Sequence, residues 1–353
     1  MNTAKNGSKI YRTGIIGCGD IGSHISERVQ FASHRQPLPF GHAPTYLSIP
    51  RIQLVAAADI DSNRALSFAE KWDVPKAGIY TDYRNMLENE HIDLLGIASP
   101  TPLHAEMAIC GAEHGVRGIF LEKPIASSIK DARDVLQTCN KFNIPLAINH
   151  LRRADQYYRK AYQLLNDGLL GTLHSLVGSF RGGLMWNGTH MFDLLNYFSG
   201  DGDIAWMSGH LDSSPSSKDP GGSAYIVYQT GVRAFINASA GNSVDFRLHI
   251  IGTEGEIIIG NYELELYRSN PEGTRGELLK YPFPQVLPAI APMVTLVNEL
   301  IDSIEGGPLP CSNGETGIKA LELIVGLHNS SNSGSKPVKI PDDLDETLAI
   351  ISG

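Results

Sequence analysis

The feature that most restricts the fold is Gly17-Cys18-Gly19-Asp20-Ile21-Gly22, standing at the end of the apolar run Thr13–Gly17. A glycine triad in this position has one well-understood use. Gly17 lets the chain turn tightly, Gly19 lets the backbone approach a pyrophosphate, and Gly22 lets the next helix pack close to the strand. The helix opening at Asp20 and Ile21 then offers unpaired N–H groups and the positive end of its dipole to the phosphates. The motif alone is weak, but a preceding strand and a following helix are the context that gives it meaning. A second apolar run, Gln53–Ala58, ends on Asp59. An acid there accepts hydrogen bonds from the adenosine ribose and repels a 2′-phosphate, which selects NAD over NADP. Asp59 and Asp61 are also good caps for the following helix, and Arg64 is close enough to receive a phosphate from NADP.

The rest of the first half keeps the rhythm of a parallel α/β sheet. Strands are predicted at Leu94–Ala98, Gly118–Glu122 and Leu146–Asn149, with helices between them. In Ser62–Trp72, Ala65, Phe68, Ala69 and Trp72 share one helical face, and Asp61 or Ser62 caps its start. Asp59 follows Gly22 by 37 residues, against the usual ~20. The surplus is Phe31–Pro50, with Pro37, Pro39, Pro44, Pro50, His34 and His42. Its prolines predict an irregular loop, which either covers the cofactor, enters a subunit contact or is a surface insertion.

After about residue 170 the pattern becomes long and alternating: Leu173–Phe180, Ile204–Leu211, Ala224–Gln229, Val232–Ser239, Phe246–Ile251 and Glu256–Ile259. This is a mostly antiparallel sheet, with helices near 154–166, 189–198, 291–304 and 316–330 and a surface loop at 213–222. The predicted architecture is α/β: a doubly wound Rossmann domain over 9–150 followed by an α+β domain with an open sheet over 151–353. The open sheet face predicts a homodimer or homotetramer.

Bulk composition removes other classes. A formal net charge of -9 argues against nucleic-acid binding. No apolar window approaches the about 20 residues that cross a bilayer, and MNTAKNGSK has no apolar signal core; a cytoplasmic protein is expected. Cys18, Cys110, Cys139 and Cys311 show no metal-ligand spacing. Cys18 and Cys139 are predicted to be small buried hydrophobes, and no metal site is expected.

Chemistry enters with Glu122-Lys123-Pro124 at the end of a buried strand. Carboxyl ends of parallel strands line the ligand crevice, and partial desolvation there draws a lysine towards the range useful for proton transfer. Glu122 and Pro124 fix its direction. The glycine triad, the run Ala98-Ser99-Pro100-Thr101-Pro102-Leu103-His104, this tripeptide, Asn187-Gly188-Thr189-His190-Met191-Phe192-Asp193 and Gly252-Thr253-Glu254-Gly255-Glu256 together resemble the glucose–fructose oxidoreductase / inositol dehydrogenase / rhizopine-catabolism (Gfo/Idh/MocA) family. The resemblance covers nearly the whole chain, and the order and spacing of the motifs make it specific. It implies a nicotinamide dinucleotide and a sugar, cyclitol or nucleotide-sugar substrate. It also implies Lys123 as the general acid/base, Ser99 and Pro100 lining the nicotinamide pocket, His104 nearby, and His190 as the second catalytic or positioning group.

The local pattern around His190 is compatible. Met191, Leu194, Leu195 and Phe198 form an apolar stripe, while His190, Asp193 and Tyr197 share a separate polar edge. Asp193 either orients His190 or meets substrate. The chain departs from the family where many members place an aspartate four residues before this histidine: Trp186 stands there, or Asn187 if the loop is one residue shorter. Neither is an efficient proton acceptor, so acid–base work falls to Lys123 and His190. Trp186 is either a wall against a sugar ring or core. Asn187 either bonds a hydroxyl or caps the helix. Arg152 and Arg153 either bind an acidic substrate group or form surface ion pairs. Two rival functions remain open at the sequence level: a redox-neutral enzyme that cleaves glycosides through transient oxidation by bound NAD, and a non-enzymatic dinucleotide sensor.

Overall fold

The computed structural model describes residues 9–29, 37–212, 219–239, 245–270 and 276–350. It divides into two compact units, the first built from the N-terminal residues through Ala154 together with Ile290–Glu315, the second from Asp155–Ala289 and Thr316 onward.

The first unit holds a six-stranded parallel sheet. Its strands are β1 (Tyr11–Ile16), β2 (Ile52–Ala58), β3 (Ile79–Tyr80), β4 (Leu94–Ile97), β5 (Gly118–Leu121) and β6 (Leu146–Ile148), in the order β3-β2-β1-β4-β5-β6. This is the doubly wound order, with the strand order reversing between β1 and β4. The central strands are buried along their whole length, as continuous apolar runs in a covered parallel sheet should be. Helices α1 (Ile25–Val29), α2 (His42–Leu47), α3 (Ser62–Trp72), α4 (Tyr83–Asn89), α5 (His104–Glu113) and α6 (Ile129–Lys141) connect them. In α3 the stripe Ala65, Phe68 and Ala69 is buried, and the Asp61 carboxylate accepts from the N–H groups of Asn63 and Arg64, the cap its sequence implies.

Two expectations are corrected here. The domain expected over 151–353 gives up 290–315 to the first unit. Met293, Leu296, Val297, Leu300 and Ile301, on what is later numbered α9 (Pro292–Ile304), enter the same core as Ile15, Leu94 and Phe120. Gly118 has no side chain because Ile304 occupies that space, and Ile148 donates to the carbonyl of Ser312 at 3.0 Å. The helix thus buries its apolar face on β5 and β6. The segment Phe31–Pro50 is likewise not an irregular surface loop throughout. Residues 31–36 lie outside the described residues, but 42–47 form α2, with Pro44 tolerated in the first turn and His42, Ala43 and Tyr46 buried.

The second unit holds an eight-stranded sheet: β7 (Leu173–Arg181), β8 (Ile204–Leu211), β9 (Gly222–Tyr228), β10 (Arg233–Ser239), β11 (Phe246–Gly252), β12 (Gly255–Gly260), β13 (Leu264–Ser269) and β14 (Leu278–Tyr281), ordered β14-β13-β12-β11-β7-β10-β9-β8. Only β7 and β10 pair in parallel. Burial alternates strictly along β10, so one face is covered and the other exposed. Helices α7 (Gln156–Asn166), α8 (Thr189–Phe198) and α10 (Gly314–Asn332) complete the unit. Met191 of α8 seats in the gap left by Gly178 of β7, and Tyr228 of β9 donates to the Asn196 side chain at 3.0 Å. Of the surface loop expected at 213–222, residues 213–218 lie outside the described residues and Gly222 begins β9. Among the described residues no helix is long and apolar enough to cross a membrane.

Candidate active site

The glycine loop leaves β1 in the form the motif requires. Gly17 has φ +97°, and a Cβ on it would lie 2.5 Å from the Ala98 carbonyl oxygen. A Cβ on Gly22 would clash with the Gly17 carbonyl. At Gly19 the situation is the opposite: nothing lies within 4 Å of where a Cβ would be. That open space, beside the start of the helical turn at Asp20–His24, is where a pyrophosphate would approach, so the residues present fit a dinucleotide. Asp20 is exposed and Ile21 half-buried on this turn. Asp59, at the end of β2, is buried beneath the loop and braces it: Cys18 N–H donates to Oδ2 at 2.9 Å and Asp61 N–H to Oδ1 at 2.9 Å. Arg64 pairs with the same carboxylate at 3.3 Å. Burial and the nearby Asp59 push the Cys18 thiol up to about 12, so it stays protonated and inert, a small buried hydrophobe as expected.

The next site residues follow the carboxyl ends of β4, β5 and β6. Ser99 is half-buried and Pro100 exposed. His104 is buried with both ring nitrogens against main-chain carbonyls, Nε2 to Ser99 at 2.8 Å and Nδ1 to Pro124 at 2.7 Å. Burial holds its pKa below the ordinary value, opposed by these two bonds. A neutral imidazole donates to one carbonyl at a time. His104 therefore ties together the loops that carry Ser99 and Lys123.

Glu122 is buried and fully engaged. Its Oε1 accepts from Asn149 Nδ2 at 2.6 Å and faces His42 Nε2 at 3.1 Å, while Oε2 accepts the Lys123 N–H at 3.3 Å. Burial alone would raise this carboxyl; the His42 hydrogen bond, with Lys123 and Asn149, outweighs it and holds the group below the usual range. Lys123 is half-buried beside it. Among the described residues, Ser99 Oγ and Asn149 Oδ1 are buried with no hydrogen-bond partner, two polar atoms with capacity for a bound group. His150 is pushed well below its usual pKa by burial, then by Arg153, Lys123 and Arg152. Neither arginine lies at the surface, where an exposed ion pair was the alternative: Arg152 is 8% exposed and Arg153 2%, both in the short turn Leu151–Arg153.

The remaining expected residues belong to the second unit. Trp186 and Asn187 lie in a wide helical turn, Leu184–Gly188, whose first N–H groups are captured by Asp219: Met185 donates to Oδ1 at 2.8 Å and Trp186 to Oδ2 at 2.9 Å. Trp186 is 52% exposed, which removes the core alternative. Asn187 does not cap α8. It is buried inside the wide turn, one residue before the capping position held by Gly188, and its amide donates to the Arg181 carbonyl at 2.9 Å. His190 and Asp193 are buried one turn apart on α8, and Tyr197 stacks on Tyr162 at 4.3 Å.

Three contributors were not foreseen. Asp219 braces a turn more than thirty positions away, and nothing local in the sequence announces it. Asn149 stood only as the end of a predicted strand. His42 was visible as a histidine in a proline-rich insertion, and its spacing to Tyr46 (i, i+4) was the available sign of a helical pair.

Comparison with known proteins matches both halves of the chain. Residues 11–150 match the Gfo/Idh/MocA model described as oxidoreductase family, NAD-binding Rossmann fold, and residues 179–340 match its C-terminal alpha/beta domain. Among relatives, a myo-inositol 2-dehydrogenase of Thermotoga maritima is 25% identical over 88% of this chain and 93% of its own. A D-apiose dehydrogenase of Paraburkholderia graminis is 24% identical over 92% of this chain and 89% of its own. Among solved structures, an oxidoreductase from Agrobacterium radiobacter in complex with NAD+, L-tartaric acid and magnesium superposes with TM-score 0.77 at 19% identity, covering 95% of this chain and 99% of that one; at that identity it bears on the fold alone.

Proposed function

The chain belongs to the Gfo/Idh/MocA oxidoreductase family, and from that premise we propose that it is an NAD-dependent dehydrogenase of a sugar, cyclitol or nucleotide-sugar hydroxyl, with Lys123 as general acid/base. The observation that carries this reading is one strand-end edge that presents both the open space at Gly19 and the Glu122–Lys123 step. The relatives named for inositol and apiose support a polyol substrate.

When bound, the nicotinamide ring supplies the hydride acceptor. Lys123, as a neutral amine, takes the hydroxyl proton at Nζ while the C–H bond breaks and the C=O bond forms; in reduction it returns that proton. Glu122 holds the lysine main chain through its N–H. His190 is the second positioning group that the family resemblance implies, with Asp193 one turn away on the same helix. Trp186 offers an apolar wall to a sugar ring, Asn187 stands behind it as a brace, and Arg152 or Arg153 meets an acidic substituent. Gly17, Gly19, Asp20, Ile21 and Gly22 hold the phosphates, with Ser99, Pro100 and the His104 strut along the nicotinamide. Asp59 favours NAD, its carboxylate being placed to accept ribose hydroxyls; NADP is the weaker cofactor. The thiols of Cys18, Cys110 and Cys139, none of them in a disulfide, fit a reducing cytoplasm. The test is NADH formation at 340 nm with NAD and a panel of inositols, aldoses and uridine-diphosphate sugars. Reduction with one class supports the assignment; no reduction, with NAD-dependent cleavage of an added glycoside, replaces it by the redox-neutral alternative.

The exposed face of the second sheet supports a homodimer or homotetramer. Phe235 is 42% exposed and packs beside Tyr225 at 5.0 Å, which in turn meets Trp206 at 5.4 Å, with Val177 the neighbour on β7. A contiguous apolar row of this kind on a sheet usually meets another surface. Light scattering at micromolar concentration is expected to give at least a dimer mass, and Phe235→Arg to lower it; a monomer mass for the native chain contradicts the proposal.

A further inference from the structure

We propose that His42, carried by α2 in the segment between the glycine loop and β2, is a positioning residue for Lys123 that acts through the Glu122 carboxylate. This rests on the reading of Lys123 as the proton-transfer group.

The geometry is a relay of fixed groups. Tyr46 Oη lies 3.0 Å from His42 Nδ1, and His42 Nε2 lies 3.1 Å from Glu122 Oε1. One tautomer satisfies every contact: the tyrosine hydroxyl donates to Nδ1 while Nε2–H donates to the carboxylate. The tyrosine is itself fully buried, and burial followed by the Glu122 charge raises it far above its ordinary pKa, so it remains a donor. The imidazole is held on its other sides by Tyr46 edge-on and by Phe120 of β5, ring centroids 5.7 and 5.0 Å away. Space for the pair comes from Gly96 of β4, where any Cβ would collide with the tyrosine hydroxyl and approach His42 Nδ1 to 3.0 Å. The Gly41 N–H, immediately before α2, donates to Met293 Sδ at 3.1 Å, which anchors the helix to α9.

Glu122 without this relay would be a buried carboxylate bonded to Asn149 and to one main-chain N–H. A carboxylate in that state seeks the nearest cation, and Lys123 is adjacent. His42 and Asn149 together hold Oε1 towards the interior and spread its charge over two donors. The carboxylate then orients the lysine through its main-chain N–H, with part of its charge taken up by those donors. Charged and titratable groups around this point are His42 and Tyr46 from α2, Lys123 after β5, His104 from α5, and His150, Arg152 and Arg153 after β6. His42 from this set, together with the neutral Asn149 amide, bonds the Glu122 Oε1 atom.

The test reads Lys123 itself. The full chain is labelled with trinitrobenzenesulfonate across a pH series, and the Lys123 peptide is quantified by mass spectrometry, beside thermal midpoint and NADH binding. His42→Phe keeps a ring but no donor. His42→Asn places its amide near the Nδ1 position, towards Tyr46, and His42→Gln near the Nε2 position, towards Glu122. Loss of the donor exposes Lys123 to more of the carboxylate charge, which favours the ammonium. His42→Phe and His42→Asn are therefore expected to raise the pH of half-maximal labelling by about one unit, equivalent to about tenfold less neutral amine at a fixed pH below the midpoint. His42→Gln is expected to stay within a few tenths of a unit of the native chain, on the same scale. A purely structural histidine predicts a lower thermal midpoint in all three with an unmoved Lys123 titration, and that result overturns the proposal. If His42→Phe does not fold, the Asn and Gln pair decides. Failure of the underlying reading is a separate outcome, seen as turnover that survives Lys123→Ala whatever the labelling shows.

Discussion

Lys123→Ala is expected to lower turnover by ~10²–10⁴-fold, the contribution of a positioned proton-transfer group, while NADH still binds. Lys123 stands half-buried two residues beyond β5, with its main-chain N–H on the Glu122 carboxylate and the next carbonyl, that of Pro124, against His104 Nδ1. Removing its side chain takes away the amine and leaves those main-chain bonds in place. The glycine loop, proposed for the phosphates, follows a different strand, β1. Lys123→Arg should fail nearly as badly, because a guanidinium does not give up its proton near neutrality. A small amine such as ethylamine added to Lys123→Ala should recover part of the rate. A variant that keeps more than a tenth of native turnover at saturating NAD would remove Lys123 from the mechanism.

Asp59→Asn is the second large effect, and it falls on cofactor choice. The native carboxylate braces Cys18 N–H and is paired with Arg64. Asparagine keeps an acceptor for the loop while removing the negative charge that opposes a 2′-phosphate, and it frees Arg64 to meet one. Hydrogen bonds to charged groups contribute about 1.5–3 kcal/mol, so the ratio of kcat/KM for NAD over NADP should fall by about 10–10²-fold. An unchanged ratio would mean that Asp59 serves only as a brace for the loop.

What the sequence made legible follows from what each element buries. The strands β4 and β5 are covered on both faces and read as unbroken apolar runs, and β1 and β2 read so apart from Arg12, Thr13 and Gln53 near their starts. The helix α8 falls where its stripe placed it, from Thr189 to Phe198. The strands β3, β13 and β14 were missed because they lie at or near sheet edges: β3 is two residues long, and β13 and β14 carry Glu265, Arg268 and Lys280 with little burial. The helix α9 is legible as a helix, but its contacts group it with the first unit although it follows the second sheet in the chain. An amphipathic stripe says that a face is buried; it does not say against which sheet, and Met293 and Leu300 pack with Ile15 and Phe120 instead.

The candidate site divides along the same line. Gly17, Gly19, Gly22, Asp59 and the Glu122–Lys123 step are readable because their chemistry is local to strand ends. His42 and Glu122 are 80 positions apart, and Asp219 stands 33 positions from the Trp186 N–H it captures. Only the folded chain brings such pairs together. Asn187 shows a subtler limit: its residue type favours a cap, yet the wide turn Leu184–Gly188 shifts it out of the capping position.

The most direct measurement of the central claim follows the carbon-bound hydrogen. Inositols and aldoses deuterated at their carbinol carbons are incubated with the chain and NAD, and the recovered dinucleotide is examined by NMR. The account predicts NADH carrying deuterium at C4 of the nicotinamide ring, with none formed by Lys123→Ala. Recovery of NAD alone, while an added glycoside is hydrolysed only in its presence, would contradict net hydride transfer as the function of this chain.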